Sequence, residues 1–142
     1  MIYSELTKKA MRISFEAHKN QTDKNGMPYI FHPIHLAEQM TDEKTICVAL
    51  LHDVVEDTDI TFEQLEEAGF SKDIVDALKL MTHDESVPYM GYVESIKTNS
   101  IATAVKLADL KHNSDLTRLD VIDEKAIKRA EKYKRAIELL LA

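Results

Sequence analysis

The chain has one cysteine, Cys47, and only 3 glycines and 3 prolines among its 142 residues. A lone cysteine closes no intramolecular disulfide, so a disulfide-stapled secreted scaffold is excluded. So few glycines and prolines, beside a hydrophobic fraction of 44% and a charged fraction of 30%, exclude collagen-like, low-complexity and disordered readings. Long apolar runs are missing too: the longest, Cys47–Leu51, is far too short to span a bilayer. The first residues, Met1-Ile2-Tyr3-Ser4-Glu5, open no apolar signal segment, and the expected location is the cytoplasm. Positive charge is in deficit. Lys and Arg number 18 against 25 Asp and Glu, a net charge of −7, which disfavours a surface for polymeric nucleic acid or anionic membrane. An anionic ligand has to be held locally.

What is present is helical periodicity. Apolar residues recur at three- and four-residue spacing and alternating β-branched runs are absent, which predicts a compact all-α fold, one domain over residues 1–142. The spacing predicts a first helix from Tyr3 to about Asn20, with Leu6, Ala10, Ile13 and Ala17 inward. A loop, Gln21–Pro28, precedes a helix from about His32 to Met40 with Pro33 in its first turn. A third helix, capped by Thr41 or Asp42, is expected to run to about Asp57. Thr61 with Gln64 resembles a capping box for a short helix stopping at Gly69, and Ser71 is expected to cap the next, to about Thr82. After a loop at His83–Pro88 come helices at about Tyr89–Lys97, Ser100–Asp115 and Asp123–Leu141.

The most informative string is Leu50-Leu51-His52-Asp53-Val54-Val55-Glu56-Asp57. On one helix His52 would stack with Glu56, and Asp53 with both Glu56 and Asp57. Carboxylates crowd a helix C-terminus, where the macrodipole disfavours anions, so a positive partner is expected. Imidazole beside carboxylate suits a borderline divalent metal better than calcium. Further ligands must come from elsewhere: His32-Pro33 opens the second helix, and Asp109 emerges from the apolar stripe Ile101, Ala104, Val105 and Ala108. A buried unpaired carboxylate is costly, so Asp109 needs a metal or a cation.

These residues resemble the His…His-Asp…Asp set of the HD-domain metal-dependent phosphohydrolases. The surroundings, Ala17-His18-Lys19-Asn20-Gln21, Gly26-Met27-Pro28-Tyr29-Ile30-Phe31-His32-Pro33, Ala49 through Thr58 and Val105-Lys106-Leu107-Ala108-Asp109, are similar to the hydrolase domain of the RelA/SpoT alarmone enzymes and small stand-alone alarmone hydrolases. The resemblance implies a helical HD domain with one divalent ion, manganese by expectation, held by His32, His52, Asp53 and Asp109. It implies removal of the 3′-pyrophosphate of guanosine tetra- or pentaphosphate, with Glu56 and Asp57 activating and positioning the attacking water. Asn113 and Lys24 would contact the nucleotide. Two positions depart from the family pattern: Asp23 precedes Lys24 where two basic residues are usual, and Leu110 follows Asp109 where Arg or Lys is common. Both departures should weaken the hold on a polyphosphate. The alternatives are an HD phosphohydrolase acting on another nucleotide and a non-catalytic metal- or nucleotide-binding sensor.

The remaining candidates read as structural. His18 is expected to pack near the site, His35 to be an exposed helix position, and His83 and His112 to be surface residues. Cys47, on the apolar face, is expected to be a buried inert thiol. Tyr89 and Tyr92 seat a helix on the core, and the basic face of the last helix, with Lys128, Arg129, Lys132 and Arg135, reads as solvated and ion-paired.

Overall fold

Side-chain caps open most of the helices. Ser4, Asp42, Thr61, Asn99 and Asp123 each accept the backbone N–H three residues on, satisfying a donor that has no partner within its helix. In the computed structural model, which describes residues 1–142, the helices are α1 (Glu5–His18), α2 (Phe31–Glu38), α3 (Glu43–Leu51), α4 (Val54–Asp57), α5 (Phe62–Glu67), α6 (Lys72–Met81), α7 (Tyr89–Lys97), α8 (Ser100–Asn113) and α9 (Glu124–Leu141). There are no strands, and no helix is long and apolar enough to cross a membrane. Ser4 and Thr7 form a reciprocal capping box, so α1 starts after Tyr3. Thr61 and Gln64 form the expected one. Ser71 precedes α6 without making a side-chain cap bond.

The α5 stop shows why Gly69 is there. Its φ of +101° is left-handed, the Gly69 N–H bonds to the Glu66 carbonyl and the Phe70 N–H to the Leu65 carbonyl. Those two bonds make a Schellman motif, and Phe70 and Leu65 are both buried beside it.

Residues Thr45–Leu51 of α3 are all buried, and this helix packs against α1, α2, α6 and α8. It is the axle of the core, and the wholly apolar circumference of Ile46–Leu51 follows from having neighbours all round.

Two expected boundaries differ. The third helix does not run unbroken to Asp57: His52 and Asp53 form a turn between α3 and α4. His52 Nδ1 lies 2.6 Å from the Ala49 carbonyl oxygen. A continuous helix would offer that oxygen to the Asp53 amide, so the side chain competes with the helical ladder. Likewise α8 ends at Asn113 rather than Asp115, and a 3-10 turn, Leu116–Arg118, follows with Asp115 as its cap.

Candidate metal centre and cleft

Because α3 packs on both α2 and α8, the start of α2, the end of α3 and the middle of α8 meet. One side-chain ligand atom from each of His32, His52 and Asp109 falls within 4.8 Å of the others, and all three residues are buried. His32 Nε2 lies 2.9 Å from Asp109 Oδ1. The His52 Nδ1–H donates to the Ala49 carbonyl, which leaves the Nε2 lone pair facing the cluster. That Nε2 is 2.9 Å from Asp53 Oδ2 and 3.6 Å from Asp109 Oδ1, yet makes a well-directed hydrogen bond with neither. A buried ring nitrogen without a partner, beside a second imidazole and a carboxylate oxygen, fits the donor set of a borderline divalent cation. Asp53 adjoins through His52 and accepts the Tyr29 hydroxyl.

The positive partner that Asp109 needs is Lys106, one turn back on α8, with Nζ 2.9 Å from Asp109 Oδ2. Asn113 Nδ2 donates to Asp109 Oδ1 at 3.0 Å. Burial opposes charge on Asp109, but Lys106, His32 and His52 outweigh it and hold the carboxyl well below its usual range. Asp53 is likewise desolvated, yet the His52 charge brings its pKa down to about 2. Burial also disfavours a charged His52, and the two carboxylates override it, raising the imidazole well above 6.5.

This electrostatic balance predicts opposite pH behaviour with and without metal. Without metal, the stability His52 contributes is complete below its ordinary value of 6.5 and is lost as pH rises through the raised value. A divalent cation held by His52 needs the neutral imidazole, so affinity for it should climb as pH rises above 6.5 and binding should release a proton. Calorimetric titration with Mn2+ in buffers of different ionisation enthalpy measures that proton; pH-independent affinity with buffer-independent heat would contradict the expectation.

Glu56 and Asp57 lie on α4, one turn past this cluster, at the surface but each partly covered by its neighbours. Glu56 Oε1 accepts the His83 backbone N–H at 3.0 Å. Partial burial, then the negative charges of Asp53 and Asp57, raise the Glu56 pKa, while the His83 amide works against the rise. Burial and Asp53 raise Asp57. Lys24 and Asn113 are exposed and line a cleft of about 370 Å³ that also takes in His32, Tyr29, Arg118, Arg129 and Tyr133.

Several contributors to this region were not singled out from sequence. Lys106 was legible in principle as a lysine three residues before Asp109 on one helix face. Tyr29, three residues before His32, and Arg118 carry no such signal for their contacts with Asp53 and Asp23, and Arg129, expected on a solvated ion-paired face, instead lines the cleft half-buried. His112 is half-buried rather than a surface residue, with its ring edge against His32 and its face stacked on His35. His83 is half-buried and stacks on Tyr92. As expected, His18 is buried against Tyr29 and His35 is exposed. Cys47 is buried and burial pushes its thiol up to about 12, the state of an inert thiol. Tyr92 is buried with its hydroxyl on the Met81 carbonyl.

Residues 10–99 match the family described as HD domain. The chain belongs to the HD-domain family. Its His52-Asp53 dipeptide is the turn that separates α3 from α4, and Asp109 lies beyond the matched segment, so its part in the cluster rests on geometry. The chain is 39% identical over 117 residues to the guanosine-3′,5′-bis(diphosphate) 3′-pyrophosphohydrolase MESH1 of Danio rerio, covering 72% of this chain and 64% of that protein. It is 32% identical over 145 residues to a protein of the same enzyme name from Aquifex aeolicus, covering 94% of this chain and 20% of the relative. The bifunctional (p)ppGpp synthase/hydrolase SpoT of Escherichia coli is 34% identical over 126 residues, 75% of this chain and 17% of SpoT. This HD-domain chain thus spans less than two thirds of each of these relatives. A solved structure reported as a metazoan ortholog of SpoT that hydrolyzes ppGpp matches it with a TM-score of 0.80 at 26% identity, covering 99% of this chain and 88% of that one.

Proposed function

We propose that this chain, as one HD domain over residues 1–142, is a manganese-dependent guanosine-3′,5′-bis(diphosphate) 3′-pyrophosphohydrolase. The observation that carries the reading is the convergence of two imidazoles and a carboxylate within 4.8 Å at the wall of a cationic cleft. The relatives' names supply the substrate. In this reading His32, His52, Asp53 and Asp109 hold the ion, which when bound supplies Lewis acidity toward the attacking water and a phosphoryl oxygen.

The chain's own side chains do the rest. Glu56, with its pKa raised by burial and by neighbouring carboxylates, takes a proton from the attacking water, and Asp57 orients it. Water adds across the phosphoester bond at the 3′ position, leaving the 3′-hydroxyl and pyrophosphate. Lys24, Arg118 and Arg129 offer cations for the phosphates, Asn113 has its amide oxygen available to the nucleotide, and Tyr133 offers a stacking face for the base.

Asp23 weakens this cleft less than its charge implies. Its Oδ1 accepts the backbone N–H groups of Asn25 and Met27 at 2.8 and 3.0 Å, and its Oδ2 lies 3.8 Å from Arg118 Nη2. The acid therefore shapes the loop that carries Lys24, with a guanidinium beside it to offset the charge. The deciding experiment is a nucleotide panel assayed with added Mn2+. Pyrophosphate release from guanosine 3′,5′-bis(diphosphate) is expected. Phosphate release from mononucleotides alone would transfer the reading to another HD phosphohydrolase, and no turnover of any nucleotide would favour a binding module.

A further inference from the structure

His112 lies one turn beyond Asp109 on α8, with its ring between two others. Its plane lies within 11° of that of His32, with centroids 5.0 Å apart, and it stacks on His35 at 4.1 Å and 29°. The His32 and His112 Nδ1 atoms are 2.7 Å apart, so one donates and the other accepts.

Once a cation takes the place of the proton that His32 Nε2 shares with Asp109 Oδ1, chemistry fixes which. A neutral imidazole that offers Nε2 to a cation carries its proton on Nδ1, and His32 Nε2 is the atom that faces Asp109 and the cluster. The His32 Nδ1–H must therefore donate, and His112 Nδ1 must accept. We propose that His112 is a positioning residue of the metal centre, fixing the tautomer and ring plane of His32 by accepting its Nδ1–H. In most metal sites that acceptor is a carboxylate, a backbone carbonyl or water; here it is a second histidine. Its position is pinned from two further sides, by the His35 ring and by Arg118, whose Nη1 donates to the His112 carbonyl at 2.8 Å. The same α8 face places Asn113 on Asp109 Oδ1. Neighbouring residues of one helix thus orient two of the candidate ligands, one on α2 and one on α8.

This inference rests on the metal-centre reading above, and one set of titrations separates the two. Mn2+ affinity is measured by calorimetry on wild type, His112→Phe and His112→Asn, with melting of the metal-free proteins alongside. Phenylalanine keeps a stacking ring but accepts no hydrogen bond, whereas the asparagine oxygen stands near the position of Nδ1. His112→Phe should bind Mn2+ about 10- to 100-fold more weakly. His112→Asn should stay within about threefold of wild type, by the same logic that a retained acceptor retains the ligand's orientation. Unchanged affinity in His112→Phe, or equal losses in both variants, overturns the inference and leaves the metal centre standing. Absence of Mn2+ binding by wild type overturns both. Should His112→Phe not fold, His112→Ala replaces it in the comparison: weaker binding than His112→Asn supports the acceptor role, and equal binding refutes it.

Discussion

Asp109→Ala should strip the protein of bound divalent ion and, separately, destabilise the metal-free fold. The first effect follows from the cluster: one of the three converging ligand atoms disappears, and with it the acceptor at 2.9 Å from His32 Nε2. The second comes from Lys106, whose side chain is only 12% exposed and whose Nζ loses its carboxylate partner. Removing one member of a buried ion pair costs about 3–5 kcal/mol, because the other is left charged and desolvated. For a chain of this size that corresponds to a fall in melting temperature of about 10 °C or more. Melting in chelator isolates the fold effect from any contribution of bound metal, and elemental analysis of the purified protein reads the ion. Adding Lys106→Met should restore much of the stability without restoring the metal, since no buried charge is then stranded. A single variant as stable as wild type would show that Lys106 finds water or another partner.

Glu56→Gln should leave metal content and melting temperature near wild type while lowering kcat by about 10²- to 10⁴-fold, the usual worth of a positioned general base. Glutamine keeps the side-chain oxygen that accepts the His83 N–H, so the local structure has no reason to change. What it loses is the ability to take a proton. Because burial and neighbouring carboxylates raise the Glu56 pKa above its ordinary 4.5, the wild-type rate should fall on the acid side at a pH above that value. The variant's residual rate should lack that limb. Steady-state kinetics on guanosine 3′,5′-bis(diphosphate) across pH read both; an undiminished kcat would remove Glu56 from the chemistry.

The helices were legible because their signals are local. The Thr61–Gln64 capping box, the Asp42 cap and the Gly69 stop each act within one turn of chain. The break after Leu51 was not legible, since periodicity continues through His52-Asp53 and only the side chain's bond to the Ala49 carbonyl diverts the backbone. The candidate ligands stood out by residue type. Their supporting partners did not, because Tyr29 reaches Asp53 across 24 residues and His112 reaches His32 across 80. Nothing in the spacing of Arg118 or Arg129 signals that they share a cleft with Lys24; that juxtaposition exists only after α9 folds back alongside α8.

The distance along the chain between His32 and Asp109 has a kinetic meaning. These partners are 77 residues apart, and His52 belongs to the helix at the centre of the core. No contiguous fragment ending before α8 contains the set, and loops of this length close late because their entropy must be overcome before the contact forms. The centre therefore behaves as a clasp rather than a nucleus: an ion captured there adds little to the speed of folding and acts chiefly by slowing the opening of α2 from α8. In a metal-loaded cell, the lifetime of the folded chain and its readiness for catalysis would then be set by the same occupancy.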